Sequence, residues 1–171
     1  MAAPHDPPPD PTGPPDDTAD RVDPADRDRR PELDAARQRR LALGDAMTAL
    51  ERVAASPAGA ESWQGQLAET LTTLRDALDR HVEEVEQPTG LLSAALDAAP
   101  RLVPQVKRLR LDHDVIAEKV GELDRWVAAP GPIDPAATRR RVMIVLGLLA
   151  DHRQRGADLV YDAYAVDIGG G

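Results

Sequence analysis

The sequence predicts an all-α fold: an antiparallel up-down four-helix bundle preceded by a disordered N-terminal tail. Three observations predict it. Apolar residues recur at steps of three and four over long stretches of 32–168, the spacing that gives a helix one buried stripe. The composition agrees, because the chain has four aromatic residues, no Phe and few β-branched residues against abundant Ala, Leu, Arg and Glu. Short connections bearing proline and glycine divide the stretches, and such links make long amphipathic helices antiparallel neighbours.

Residues 1–31 hold nine of the sixteen prolines with eight Asp and four Arg, and their only large aliphatic side chains are Met1 and Val22. A segment of this kind buries too little surface to offset its ordering entropy and is expected to be disordered. The first helix is expected over about 32–56, with Leu33, Ala36, Leu43, Met47, Leu50 and Ala54 on its stripe, ended by Ser56-Pro57-Ala58-Gly59. The second carries Trp63, Leu67, Leu71, Leu74, Leu78 and Val85, with His81 filling the one gap. Pro88 and Gly90 interrupt it, yet Leu91–Leu96 is still helix-like, so a kinked extension to near Pro100 is expected.

The third stripe reads Leu102, Val106, Leu109, His113, Ile116, Val120, Leu123 and Val127, an unbroken alternation of fours and threes. After Pro130-Gly131-Pro132, Asp134 and Pro135 supply an N-cap acceptor and a proline at the first helical position. The fourth stripe then runs Thr138, Val142, Val145, Leu149, His152, Gly156, Leu159 and Ala163. The expected organisation is thus a tail (1–31), one helical domain (32–168) and a flexible Gly-rich terminus (169–171).

The formal charge of −9 divides into −4 in the tail and −5 in the body. Nothing in that balance attracts phosphate backbones and stacking aromatics are scarce, so a nucleic-acid partner is not expected. The lack of cysteine excludes disulfides, thiolate metal sites and a cysteine nucleophile. There is no run of about 18 apolar residues, and acid and proline stand where a secretory leader needs an apolar stretch. No membrane association is expected, and a cytoplasmic location follows. Protein partners and self-association stay open, because a helical stripe buries equally well against a second subunit.

Turn arithmetic places the histidines. Positions 113 and 152 have their midpoint at 132.5, inside the Pro-Gly-Pro turn, and positions 81 and 113 have theirs at 97, near Pro100. On antiparallel helices, residues equidistant from a turn lie at one height, so His81, His113 and His152 are expected to share one core level. A lone histidine on a stripe is ordinarily a neutral ring bonded to a polar neighbour. Three together lose solvation together, which is costly unless they share water, partner groups or a metal. Zinc, iron and copper all accept nitrogen ligands.

The carboxylates near them are Glu84 and Glu86, which follow His81, and Asp158, which follows His152. They are auxiliary ligand candidates, with solvated or interhelical charge as the plainer role. The residues four places after each histidine, Val85, Ala117 and Gly156, cannot coordinate. Asp112, Asp114 and Asp151 adjoin histidines, point about 100° away and are expected to face water. His5 lies in the tail and has no expected role. Tyr161 and Tyr164 read as core or interface aromatics, and Arg139-Arg140-Arg141 as an exposed face pairing with acidic neighbours.

The phrases LRDALDRHVEEVE, LRLDHDVI and LLADHRQRGADLVYDAY, on four helices with converging histidines, resemble the hemerythrin-like, or HHE cation-binding, domain family over about residues 32–165. In that family, five histidines and two bridging carboxylates hold an oxo-bridged di-iron centre that binds dioxygen or senses redox state. The resemblance puts His81 at the helix-two histidine, His113 at the first histidine of helix three and His152 at the helix-four histidine. Ala35-Ala36-Arg37 occupies the place of the helix-one histidine, Val85 and Ala117 replace two further ligands, and Ala157 stands at the aspartate with Asp158 one residue late. The resemblance therefore implies a metal-binding bundle, for iron or another divalent metal, without a complete di-iron oxygen-binding site and without catalytic residues. The alternative is a non-metal helical interaction or stress-related protein with a vestigial polar histidine layer. An enzyme at a three-histidine metal would need a general base, for which Glu84 is the one candidate.

Overall fold

Stripes spaced by threes and fours require helices that bury one side, and a computed structural model, which describes residues 41–58 and 62–164, contains them. The tail, Leu33 and Ala36, and the glycines at 169–171 lie outside the described residues. Helix α1 is described over 41–55; α2 is Trp63–Glu86, α3 Leu91–Ala98, α4 Val103–Val127 and α5 Pro135–Tyr164, with a 3₁₀ turn at Pro100–Leu102. Among the described residues all regular structure is helical.

The stripes are the buried faces. In α2, Trp63, Leu67, Leu71, Leu74, Leu78 and Val85 are buried, and in α4 the whole series from Val106 to Val127 is buried, His113 included. On α5, Thr138, Val142, Val145, Leu149, His152 and Leu159 are buried, while Gly156 and Ala163 are half-buried. Leu43, Leu50 and Ala54 do the same for α1, with Met47 packed against them.

The kinked extension of α2 is replaced by a break and a separate helix. Gln87 takes φ −59° and ψ 159°, the extended geometry that a following proline imposes on its predecessor, so α2 ends at Glu86. Gly90 then turns the chain back across the last turn of α2. A Cβ there would come within 2.5 Å of the Glu84 carbonyl oxygen and 2.6 Å of that of Val85, so glycine is required for the approach.

Side chains tie up the helix ends near the other turns. The backbone N–H groups of Ala136 and Ala137 donate to the Asp134 carboxylate at 3.0 and 3.2 Å, the N-cap expected at the start of α5. Thr138, fully buried, donates to the Asp134 carbonyl and accepts from Trp126 Nε1 at 2.9 Å. Gln64 Nε2 donates to the Val127 carbonyl at 2.7 Å, at the end of α4. Arg139 donates to the carbonyls of Ala54 and Ser56, at 2.8 and 3.0 Å, and so completes the C-terminus of α1. For Arg139 this corrects the expectation of acidic partners: the final carbonyls and the negative dipole end of α1 attract the guanidinium instead, whereas the Lys119 hydrogen bond and, after it, the nearby Arg141 lower the Glu122 pKa. Arg141 stacks over Trp126, 4.3 Å from the ring centroid.

Helix α4 packs against α5 and α2, and α3 packs against α2, α4 and α5. The core has two apolar clusters. One is built around Leu50, Leu67, Leu74, Ile116 and Leu149, the other around Leu92, Leu102, Val106, Leu109 and Leu159. On α2, α4 and α5 alike, the histidine is the stripe residue at which the helix passes from one cluster to the other. No helix among the described residues is long and apolar enough to cross a membrane.

Candidate metal centre

The three histidines expected at one height come together. His113 and His152 are buried, at 3 and 4 % exposure, and His81 is half-buried. Nε2 of His152 lies 3.2 Å from Nε2 of His81 and 3.2 Å from Nε2 of His113. Nitrogens from all three rings fall within 4.8 Å of one another, and a small void, large enough for a water molecule, touches all three residues. The remaining walls of that void are the glycine and apolar side chains of α2–α5, Leu91, Leu109 and Leu159 among them.

Proton accounting fixes the direction of one lone pair. His113 Nδ1 is 2.5 Å from Glu86 Oε1, so Nδ1–H donates to the carboxylate and, in the neutral ring, Nε2 carries a lone pair directed at the cluster. This is the arrangement by which a carboxylate orients a metal-binding imidazole from its far side. His152 Nε2 faces two other ring nitrogens, yet a single nitrogen carries either one N–H or one lone pair. Burial pushes the His152 pKa down to about 4, the nearby His113 and His81 rings push it the same way, and Asp112 opposes them. His152 is therefore neutral at neutral pH.

Asp112 is a correction. It was expected to face water; instead it sits between α4 and α5, its side chain 17 % exposed, with Oδ2 accepting from Arg155 Nε at 2.7 Å. The same oxygen is 3.8 Å from His152 Nδ1, a buried nitrogen that has no hydrogen-bond partner among the described residues. The 100° offset from His113 turns Asp112 out of the histidine cluster, but α5 covers that side of α4 and its arginine draws the carboxylate in. Asp114 and Asp151 are exposed, as expected.

The auxiliary candidates separate. Glu86 reaches the cluster, at the outer nitrogen of His113. Glu84 is half-buried and lines a surface hollow with Arg80, Glu83 and Gln87. Asp158 is exposed and accepts from Gln154 Nε2 at 2.8 Å. Tyr161 is 72 % exposed and so is no core aromatic. The pairings that sequence reasoning missed had a signal: 86 and 113 have their midpoint at 99.5 and 112 and 155 at 133.5, the same turns that align the histidines.

The donor set can be tested against ligand geometry. Bonds of about 2.0–2.1 Å from a tetrahedral zinc to two imidazole nitrogens set those nitrogens about 3.3 Å apart. Two of the three pairs stand at 3.2 Å. The three nitrogens lie within 4.8 Å of one another, so the histidines are a set that could hold a metal ion, with Glu86 behind one of them. A scan against protein-family models, a search of curated proteins and a search of solved structures each find no match.

Proposed function

We propose that the chain is a non-enzymatic, hemerythrin-like metal-binding bundle in which Nε2 of His81, His113 and His152 hold one divalent ion, zinc or iron, without a complete di-iron oxygen-binding site. The convergence of three ring nitrogens within 4.8 Å, two pairs of them 3.2 Å apart, carries this reading. An antiparallel arrangement is supported by the contacts between helices. Arg101 with Asp162, Asp112 with Arg155, His113 with His152 and Trp126 with Thr138 pair rising numbers along the 3₁₀ turn and α4 with falling numbers on α5. Glu86 with His113 and Arg75 with Asp124 do the same for α2 and α4.

In this reading Glu86 holds the proton of His113 on Nδ1 and keeps Nε2 free to coordinate. The low pKa of His152 keeps its ring in the neutral form that a ligand needs. An ion held by three imidazoles supplies a Lewis-acidic centre with room for a further ligand. The two apolar clusters keep bulk water off the ring nitrogens from both ends.

One observation favours a second reading, a polar histidine layer without metal. Both 3.2 Å contacts at His152 Nε2 are within hydrogen-bond distance, and such contacts need no ion. Elemental analysis of the full chain from metal-replete cells separates the two. The metal reading expects one equivalent of zinc or iron in the wild type and none in the triple His81→Ala, His113→Ala, His152→Ala variant. A wild type that carries no stoichiometric metal, with a triple variant equally well folded, contradicts it.

A further inference from the structure

Gly156 sits on the core stripe of α5, between His152 and Leu159. Glycine inside a helix is destabilising relative to almost any other residue, and close packing or a positive φ is the usual compensation. Neither applies. A Cβ on Gly156 would meet nothing within 4 Å, and the positive-φ glycine among the described residues is Gly131. What the missing side chain leaves is space.

That space is part of a cavity of about 400 Å³, within the size range of small-molecule sites. Leu43 of α1, Leu91 of α3 and Val160 of α5 give it apolar walls, and His81 and His152 also face it. Among the described lining residues the one charged side chain is Arg153, which is exposed and makes no hydrogen bond or ion pair among the described residues. An apolar hollow with an unengaged guanidinium selects for a molecule with an apolar body and a planar anionic head, since a carboxylate accepts two parallel N–H bonds from arginine.

From this juxtaposition we infer that the cavity beside the histidine cluster binds a medium-chain monocarboxylate, its chain against Leu43, Leu91 and Val160 in the space left by Gly156 and its carboxylate on Arg153. The site needs no metal at the histidines and goes beyond the proposed metal-binding role.

Calorimetric titration of the full chain with octanoate, octanol and octylamine tests it. One saturable octanoate site is expected, with octanol and octylamine weaker by about tenfold or more, the scale of a charge-assisted pair. Gly156→Leu fills the cavity and favours the helix, so it is expected to raise Tm while weakening octanoate at least about tenfold. Arg153→Gln, at an exposed position, is expected to weaken octanoate about tenfold and leave octanol unchanged. Titration with and without a chelator separates this site from the metal reading: equal octanoate affinity is expected in both. The assignment is overturned if the wild type shows no saturable octanoate binding, if octylamine binds as tightly as octanoate, if either variant binds octanoate like the wild type, or if chelation abolishes binding and so moves the carboxylate from Arg153 to an ion.

Discussion

In the proposed site, the Glu86 carboxylate acts through the His113 ring it holds rather than through a place at the ring nitrogens that converge. Replacing it with Gln keeps a hydrogen-bond acceptor for His113 Nδ1 but removes the carboxylate's charge. Glu86→Gln is therefore expected to weaken zinc affinity by about 10- to 100-fold with little change in fold, measured by competition with a chelator of known affinity. Unchanged affinity would remove Glu86 from the site. His152 makes a second prediction, for the metal-free protein. Above about pH 6.5 the ring is neutral whether the chain is folded or unfolded, and it contributes no slope. As pH falls from 6.5 toward 4, the unfolded chain takes up a proton that the folded chain refuses, so stability declines and then levels off below the folded pKa of about 4. The loss is on the order of 3 kcal/mol. Denaturant melts at stepped pH are expected to show this decline in the wild type and a shallower one in His152→Gln; parallel curves would contradict it.

Among the elements, the helices and their buried faces were legible in the sequence, because each stripe depends only on the helix's own periodicity. Every position from Val106 to Val127 on the third stripe is buried as expected. The N-cap at Asp134 was legible for the same reason, since its chemistry is local. Asp134→Ala is expected to cost about 1 kcal/mol in thermal or denaturant unfolding. The break after Glu86 was harder to see. Leu91 and Leu92 continue an apolar pattern, and only the backbone shows that Pro88 has forced Gln87 out of helical geometry. Gly90 makes the cost of that turn measurable: Gly90→Ala places a Cβ against two backbone carbonyls that cannot move aside as a side chain can. Its expected destabilisation exceeds that of Asp134→Ala, and a smaller effect would mean that the turn relaxes freely.

For the whole molecule, the position of the histidines matters as much as their number. They form the seam between two apolar clusters, so three helices present imidazole at the one level where the core changes hands. That level could be calculated from turn positions, and so could the height that Asp112 shares with Arg155; the turning of Asp112 toward α5 and of Arg139 toward α1 could not, because it depends on how far each helix is rotated about its own axis. Arg139 finds the end of α1 and Asp112 finds Arg155 across the α4–α5 contact, both through rotation that a stripe does not encode. In the proposed centre, His81, His113 and His152 bind one ion together. Metal-edge X-ray absorption on the zinc-loaded full chain tests it most directly. A first shell with three imidazole nitrogens at about 2.0–2.1 Å and no neighbouring metal is expected; a shell of oxygens alone, or one unchanged by His113→Ala, would rule the three-histidine centre out.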